Sequence, residues 1–296
     1  MKAVVIGGKG HIGTYLCPML VKNGFEVVSI TRGNSQPYED DYAWKDVESV
    51  FLDRNKCSNF EEQVISMNPD IIIDLVNFNI EDTKKMVEAI KKSNVSHYLY
   101  CSSCWAYGMA EILPFNKDEY RKNGFPATIV MPGQISGPGW TIINPWGNTS
   151  MRVIQDIADG KEIALPNFGM EIIHHVHGYD VAQVFMNAIT HRNVSLGESF
   201  DAEAENSITL YGYAKHLYEF FGHEPKIKFL GWNEWCKYEG NKEECEHTYY
   251  HIIRSGTFSI EKEKRLLEYK PKYTNLETID LAIQSYIDRG LISVKR

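Results

Sequence analysis

From Lys2 to Cys101 the chain alternates short apolar runs with segments of helical spacing, and this alternation constrains its fold more than any single motif. KAVVI, EVVSI, SVFL, DIIID and HYLYC are too short for buried helices and too uniformly apolar for strands with one wet face. Helical patterns at His11–Asn23, Asn59–Met67 and Glu81–Lys92 lie between them, the first with Pro18 inside it, where a kink is expected. Buried strands separated by amphipathic helices predict a parallel sheet covered on both faces, a doubly wound α/β fold. ATIVM at Ala127 continues the series, followed by a glycine- and proline-rich loop, a helix over Ser150–Asp159, a strand over Glu171–His177 and a helix over Asp180–His191.

Beyond Asp201 the texture turns aromatic, charged and mostly helical, with candidate helices at Leu210–Phe221, Glu244–Ile253, Ile260–Leu267 and Leu276–Asp288. The expected division is a first domain of residues 1–139 and about 171–201, with a smaller part formed by about 140–170 and 202–296.

The loop after the first strand reads Gly7-Gly8-Lys9-Gly10-His11-Ile12-Gly13 and runs into a helix. Residues without Cβ allow a backbone to approach a pyrophosphate closely. A helix N-terminus adds N–H donors and positive potential. Placed after the first strand of a βαβ unit, the triplet Gly7, Gly10, Gly13 predicts a dinucleotide site that uses the backbone of His11 and Ile12. The second strand ends Thr31-Arg32-Gly33 without the acid that would hold an NAD ribose. Arg32 could pair with a 2′-phosphate, so NADP is favoured over NAD.

GGKGHIG, VFLDR at Val50–Arg54, SSCWAYG at Ser102–Gly108 and PGQISGPG at Pro132–Gly139 occur in this order, and LPNFGMEIIHHVHGYDVAQ and SIEKEKRLLEYKPKY follow. Together they resemble the extended short-chain dehydrogenase/reductase family, in its NAD(P)-dependent sugar-nucleotide epimerase/dehydratase group. The resemblance implies a Rossmann sheet with a smaller, mostly helical C-terminal substrate part. It places Asp53 and Arg54 near the adenine, Leu75, Val76 and Ser102 beside the cofactor, and Pro132, Gln134 and Ile135 at the nicotinamide end. Ser103 takes the position of the catalytic serine, and Asn167, His175 and His177 face a nucleotide-linked sugar.

The family also carries Tyr-x-x-x-Lys on a long helix after that serine, where the lysine lowers the pKa of a tyrosine base. Here Tyr107 and Tyr120 are the tyrosines available, with Lys117 and Lys122 nearby, and neither tyrosine has a lysine four residues on. Met109–Asn123 is too short for both that helix and a loop over the substrate. The helix is therefore expected to be missing. With it would go the cover for one sheet face, the usual homodimer interface and the catalytic base. The expected function is an epimerase/dehydratase-like protein impaired by that loss, or a catalytically silent NAD(P) sensor on the same fold. Tyr211 and Lys215 have the spacing but read as part of a structural helix.

Net charge is −8, with no run of basic residues able to track a phosphate backbone, so nucleic acid is not expected as a partner and an RNA-binding relative is disfavoured. No apolar run reaches the length of a membrane span. Six scattered cysteines suggest reduced thiols in a cytoplasm, with Cys101-x-x-Cys104 structural or incidental. His174, His175 and His177 alternate faces on a strand, so no metal site is expected. Asp180 is expected to cap the helix that follows. Trp140, Trp146, Trp232 and Trp235 read as packing residues.

Overall fold

The computed structural model describes residues 1–109 and 125–294. The first half forms β1 (Lys2–Ile6), α1 (Gly13–Lys22), β2 (Glu26–Thr31), β3 (Val47–Phe51), α2 (Phe60–Ser66), β4 (Ile71–Asp74), α3 (Ile80–Ile90), β5 (His97–Cys101), β6 (Ala127–Pro132) and β7 (Gln134–Ser136). Then follow α4 (Met151–Ala158), β8 (Ile163–Pro166), β9 (Ile172–Ile173), β10 (His175–His177), α5 (Gly178–Thr190), α6 (Arg192–Ser195), β11 (Ser199–Ala202) and β12 (Ile208–Thr209). The chain ends with α7 (Leu210–Phe220), β13 (Ile227–Leu230), α8 (Trp232–Glu239), α9 (Lys242–Ile252), α10 (Glu261–Leu267) and α11 (Asn275–Asp288).

The central sheet has seven strands in the order β11-β6-β5-β4-β1-β2-β3, every pair parallel. This is the doubly wound α/β architecture expected from the alternation. The order reverses at β1, so the β1–α1 turn opens at the crevice where such sheets take ligands. Val5, Ile71, Leu99 and Val130 on one face pack with Leu16, Leu20, Val181 and Phe185 of α1 and α5. Val4, Val28, Ile72 and Tyr98 on the other pack with Phe60, Val64, Met86 and Ile90 of α2 and α3. A separate cluster joins Trp146, Ile154, Leu165, Tyr213, Trp235 and Tyr286.

Several local expectations shift. The strand over Glu171–His177 breaks at His174, β9 pairing antiparallel with β12 and β10 parallel with β7. The sequence reading missed β11, α8 and the β8–β13 pair. Pro18 lies inside an uninterrupted α1.

Two chemical expectations are corrected. Cys236 and Cys245 form a disulfide between α8 and α9, whereas Cys17, Cys57, Cys101 and Cys104 are free thiols. Asp180 does not cap α5. The His177 side chain does so, accepting from Tyr179 N–H at 3.1 Å. Asp180 instead accepts from Lys272 N–H at 2.7 Å and Tyr273 N–H at 3.0 Å, fastening the loop before α11 onto α5.

The β5–β6 connection, with Tyr120, Lys117 and Lys122, lies outside the described residues. Phe78, Ile80, Tyr100 and Ile129 line an apolar groove of about 350 Å³. Phe78 is 88% exposed and Ile129, on an inner strand of the sheet, 38%. Among the described residues nothing covers this stretch of the sheet.

Candidate functional site

The glycine loop is held by contacts that only glycine permits. Gly7 has φ +86°, and a Cβ there would lie 2.8 Å from Val76 Cγ1 at the end of β4. A Cβ on Gly13 would lie 2.2 Å from Gly8 O. Gly10 N–H donates to Gly7 O and Thr14 N–H to Gly10 O, both at 2.9 Å, which closes the turn into α1. The N–H groups of His11 and Ile12 have no acceptor among the described residues. Free donors at a helix start and a loop without side chains fit a dinucleotide pyrophosphate. The His11 ring stacks on Trp140 with centroids 5.0 Å apart, and Tyr38 approaches it edge-on.

The residues expected at the adenine end separate. Arg32 is exposed after β2 and free to meet a ligand. Asp53 accepts from Asn55 N–H at 3.0 Å. Arg54 turns inward: its guanidinium lies 2.6 Å from the fully buried Asp74 carboxylate, donates to Val76 O and sits over Phe60. Arg54 is thereby a buried partner of β4. Leu75 N–H donates to Ile6 O, so Leu75 and Val76 stay at the strand ends beside Gly7.

Across the crevice, Ser102 N–H donates to Val130 O. The Ser103 hydroxyl accepts from Trp105 N–H at 3.2 Å and caps a short 3-10 turn over Cys104–Tyr107. Tyr107, expected as one of two candidate bases, is engaged elsewhere. Its hydroxyl donates to Asp201 Oδ1 at 3.2 Å, and burial, with Asp201 next, pushes its pKa far up. A phenol bonded to a carboxylate resists losing its proton.

Of the residues expected at the nicotinamide end, Pro132 closes β6, opposite Ala202. Gln134 Oε1 accepts from His174 N–H at 2.8 Å, and Ile135 packs on the first core. Asn167 sits in a turn at φ +52° and donates to Glu171 at 2.6 Å. His175 is fully buried, 2.6 Å from Ser136 Oγ and against the Tyr213 ring, which leaves it no surface for a ligand. His177 is enclosed near His11 and Tyr273. Among the described residues no group of three metal-ligating side chains forms, and no helix is long and apolar enough to cross a membrane.

Sequence reasoning missed Arg254, which the fold brings to the Ser103 turn. Its guanidinium stands 4.4 Å over Trp105, and it lines a small cleft with Cys104, Gln134 and His174. Nothing local to its sequence separation of about 150 residues from Ser103 signals that approach.

Residues 3–122 match the NAD dependent epimerase/dehydratase family. The resemblance drawn from the motifs is therefore found independently in the N-terminal stretch that carries the glycine loop and Ser103. Over 98% of its length the chain is 28% identical to the chloroplast stem-loop binding protein of 41 kDa b from Arabidopsis thaliana, covering 80% of that protein. It is 25% identical to the UDP-glucose 4-epimerase of Bacillus subtilis, over 72% of this chain and 79% of that one. Among solved structures, the UDP-glucuronic acid 4-epimerase of Bacillus cereus in complex with NAD superposes with a TM-score of 0.70 at 15% identity, covering 98% of this chain and 99% of that chain. The UDP-glucose 4-epimerase of Thermotoga maritima gives 0.69 at 17% identity, covering 98% and 99%. These structures establish the shared fold.

Proposed function

We propose that this chain is an NAD(P)-binding, epimerase-like protein that holds a nucleotide-linked sugar between the glycine loop and the Ser103 turn. The observation that carries the reading is the pair of free N–H groups at His11 and Ile12, in a loop where Gly7 and Gly13 admit no side chain. The cofactor, when bound, supplies the hydride acceptor. Ser103 donates to a sugar oxygen, and Arg254 offers a planar cation to the diphosphate. Arg32 gives the adenosine end a cation, which favours NADP. The division into a dinucleotide domain (1–139 and about 171–201) and a substrate part (about 140–170 and 202–296) is part of this reading. The separate cluster around Trp146 and Tyr213 supports it, while Ile260, Leu267 and Tyr269 pack on the first core.

A second reading, a silent dinucleotide sensor, is favoured by the carboxylate bond of Tyr107, which ties up that phenol. An RNA-binding role has one supporting observation, the likeness to a stem-loop binding protein along nearly the whole chain. The net charge of −8 speaks against it.

Titrating NAD and NADP against tryptophan fluorescence tests the shared claim, because Trp140 lies on His11; no response to either refutes it. Incubation of the cofactor-loaded protein with UDP-glucose and UDP-glucuronic acid separates enzyme from sensor. Turnover lost in Ser103→Ala supports the first, and binding without turnover the second. A gel shift with an RNA stem-loop that survives 0.2 M salt would replace both.

A further inference from the structure

Of the 11 residues of α9, only Thr248 and Ile252 are buried, and both lie in its second half. Asn148 Nδ2–H donates to Thr248 Oγ1 at 3.1 Å, and Ile252 joins the cluster around Trp146. The first half is capped by Asn241 and carries Cys245, whose bond to Cys236 ties it to α8. Glu244 adds one long hydrogen bond, from Thr149 N–H at 3.4 Å.

The far end of α9 bears on the candidate site. The His251 ring meets that of Trp105 edge to face, with centroids 5.1 Å apart, and Arg254 follows just past the helix, 4.4 Å over the same ring. Ser255 Oγ accepts from Ile172 N–H at 2.7 Å beside them. Trp105 N–H is bonded to Ser103 Oγ, so the ring held by the end of α9 belongs to the turn that Ser103 caps. Both ends of this link are open to solvent chemistry. Cys236 and Cys245 are each partly exposed and line one open cleft of about 800 Å³. Its charged residues, Lys237, Lys242 and Glu246, leave it net positive, which favours a departing thiolate.

We propose that the Cys236–Cys245 disulfide is a redox switch that acts on the Ser103 turn through α9. The reductant is a dithiol. One of its thiolates attacks a cysteine sulfur, the protein S–S bond breaks as a mixed disulfide forms, and the released cysteine takes up a proton. The second thiol then displaces the other cysteine, which is protonated in turn. Two electrons and two protons pass to the protein, and the reductant leaves as a disulfide. Without its tie to α8, the first half of α9 opens locally and the hold of His251 and Arg254 on Trp105 loosens. The oxidised chain therefore holds a nucleotide-linked sugar more tightly than the reduced one. That consequence rests on the role proposed for Arg254, whereas the loosening of α9 does not.

Hydrogen exchange of the full chain, read by mass spectrometry with and without dithiothreitol, tests the switch, and alkylation of the unfolded sample fixes the redox state. Amides of residues 244–254 are expected to exchange about tenfold faster after reduction, before those of β1, β4 and β5 exchange. The double variant Cys236→Ser/Cys245→Ser shows the fast pattern and no response to dithiothreitol. UDP-glucose affinity falls about threefold on reduction, and the difference disappears in Arg254→Met. The proposal is overturned if the isolated chain carries no disulfide, if residues 244–254 exchange equally in both states or speed up only together with the sheet, or if the double variant still responds. UDP-glucose bound equally well in both states overturns the link to the site. No binding in either state refutes the substrate reading instead, and the exchange result then decides the switch by itself.

Discussion

Arg54 provides the sharpest test of the structure, because sequence resemblance and coordinates assign it different work. In the fold its guanidinium donates to both Asp74 oxygens, at 2.6 and 3.4 Å, and to Val76 O at 3.3 Å. Asp74 is fully buried and also accepts from Asn77 and Tyr98, each at 3.2 Å. Replacing Arg54 by Met keeps the stem over Phe60 but strands the carboxylate. Breaking a buried pair typically costs about 3–5 kcal/mol. Since Asn77 and Tyr98 remain as donors, the cost belongs near the lower end, about 3 kcal/mol, a fall in Tm on the order of 6–12 °C. The double variant Arg54→Met/Asp74→Asn removes both charges and should cost less than the sum of the singles, with a coupling on the order of 2 kcal/mol. Urea unfolding followed by tryptophan fluorescence measures all four proteins. If Arg54→Met unfolds within about 1 kcal/mol of the parent while dinucleotide affinity drops tenfold, the residue serves the adenine and the buried-pair argument is wrong.

Gly13→Ala forces a Cβ to 2.2 Å from backbone, so it should abolish dinucleotide binding and destabilise by at least about 1–3 kcal/mol. Gly33→Ala, with nothing within 4 Å of its Cβ, should do neither; equal binding by the two variants would remove the loop from the site. Burial lowers the pKa of His97, His174 and His177 to about 4 and of His11 and His175 to about 3. The unfolded chain therefore binds protons first, and stability present above pH 6.5 is lost as pH falls toward 4, by about 1.4 kcal/mol per histidine and pH unit. Asp180, raised by burial to about 6, has the opposite sign and offsets one of them between about pH 6 and 4. Urea midpoints that stay flat from pH 7 to 5 would contradict this burial. Reducing Cys236–Cys245 with dithiothreitol opens a short loop, which should lower stability by about 2–3 kcal/mol. Mass spectrometry after alkylation of the unfolded, unreduced protein should find four modified cysteines, and six would mean that no disulfide forms.

The conformation of the glycine loop was legible in sequence because it is a property of the backbone. Gly7 and Gly13 are required by turn geometry, and that requirement is visible in a stretch of seven letters. Ser103 drew notice through its likeness to a family serine within SSCWAYG, and its cap on the following turn came only with the structure. The partners of Arg54, Tyr107 and Asp180 were not legible for one reason: each lies far along the chain. Arg54 finds Asp74 20 positions away, Asp180 meets Lys272 at 92, and Tyr107 meets Asp201 at 94. Arg254 escaped notice on the same ground.

The sequence by itself therefore determined the parallel sheet, the succession of its early strands along the chain and the glycine turn, because period and residue-by-residue conformational freedom are local properties. The tertiary structure alone decided that β11 completes the sheet beside β6, that Cys236 meets Cys245, that Arg54 points inward, and that Arg254 reaches Trp105. Those outcomes depend on which surfaces close on each other when the apolar faces are buried, and side chains then take the partners that closure leaves within reach.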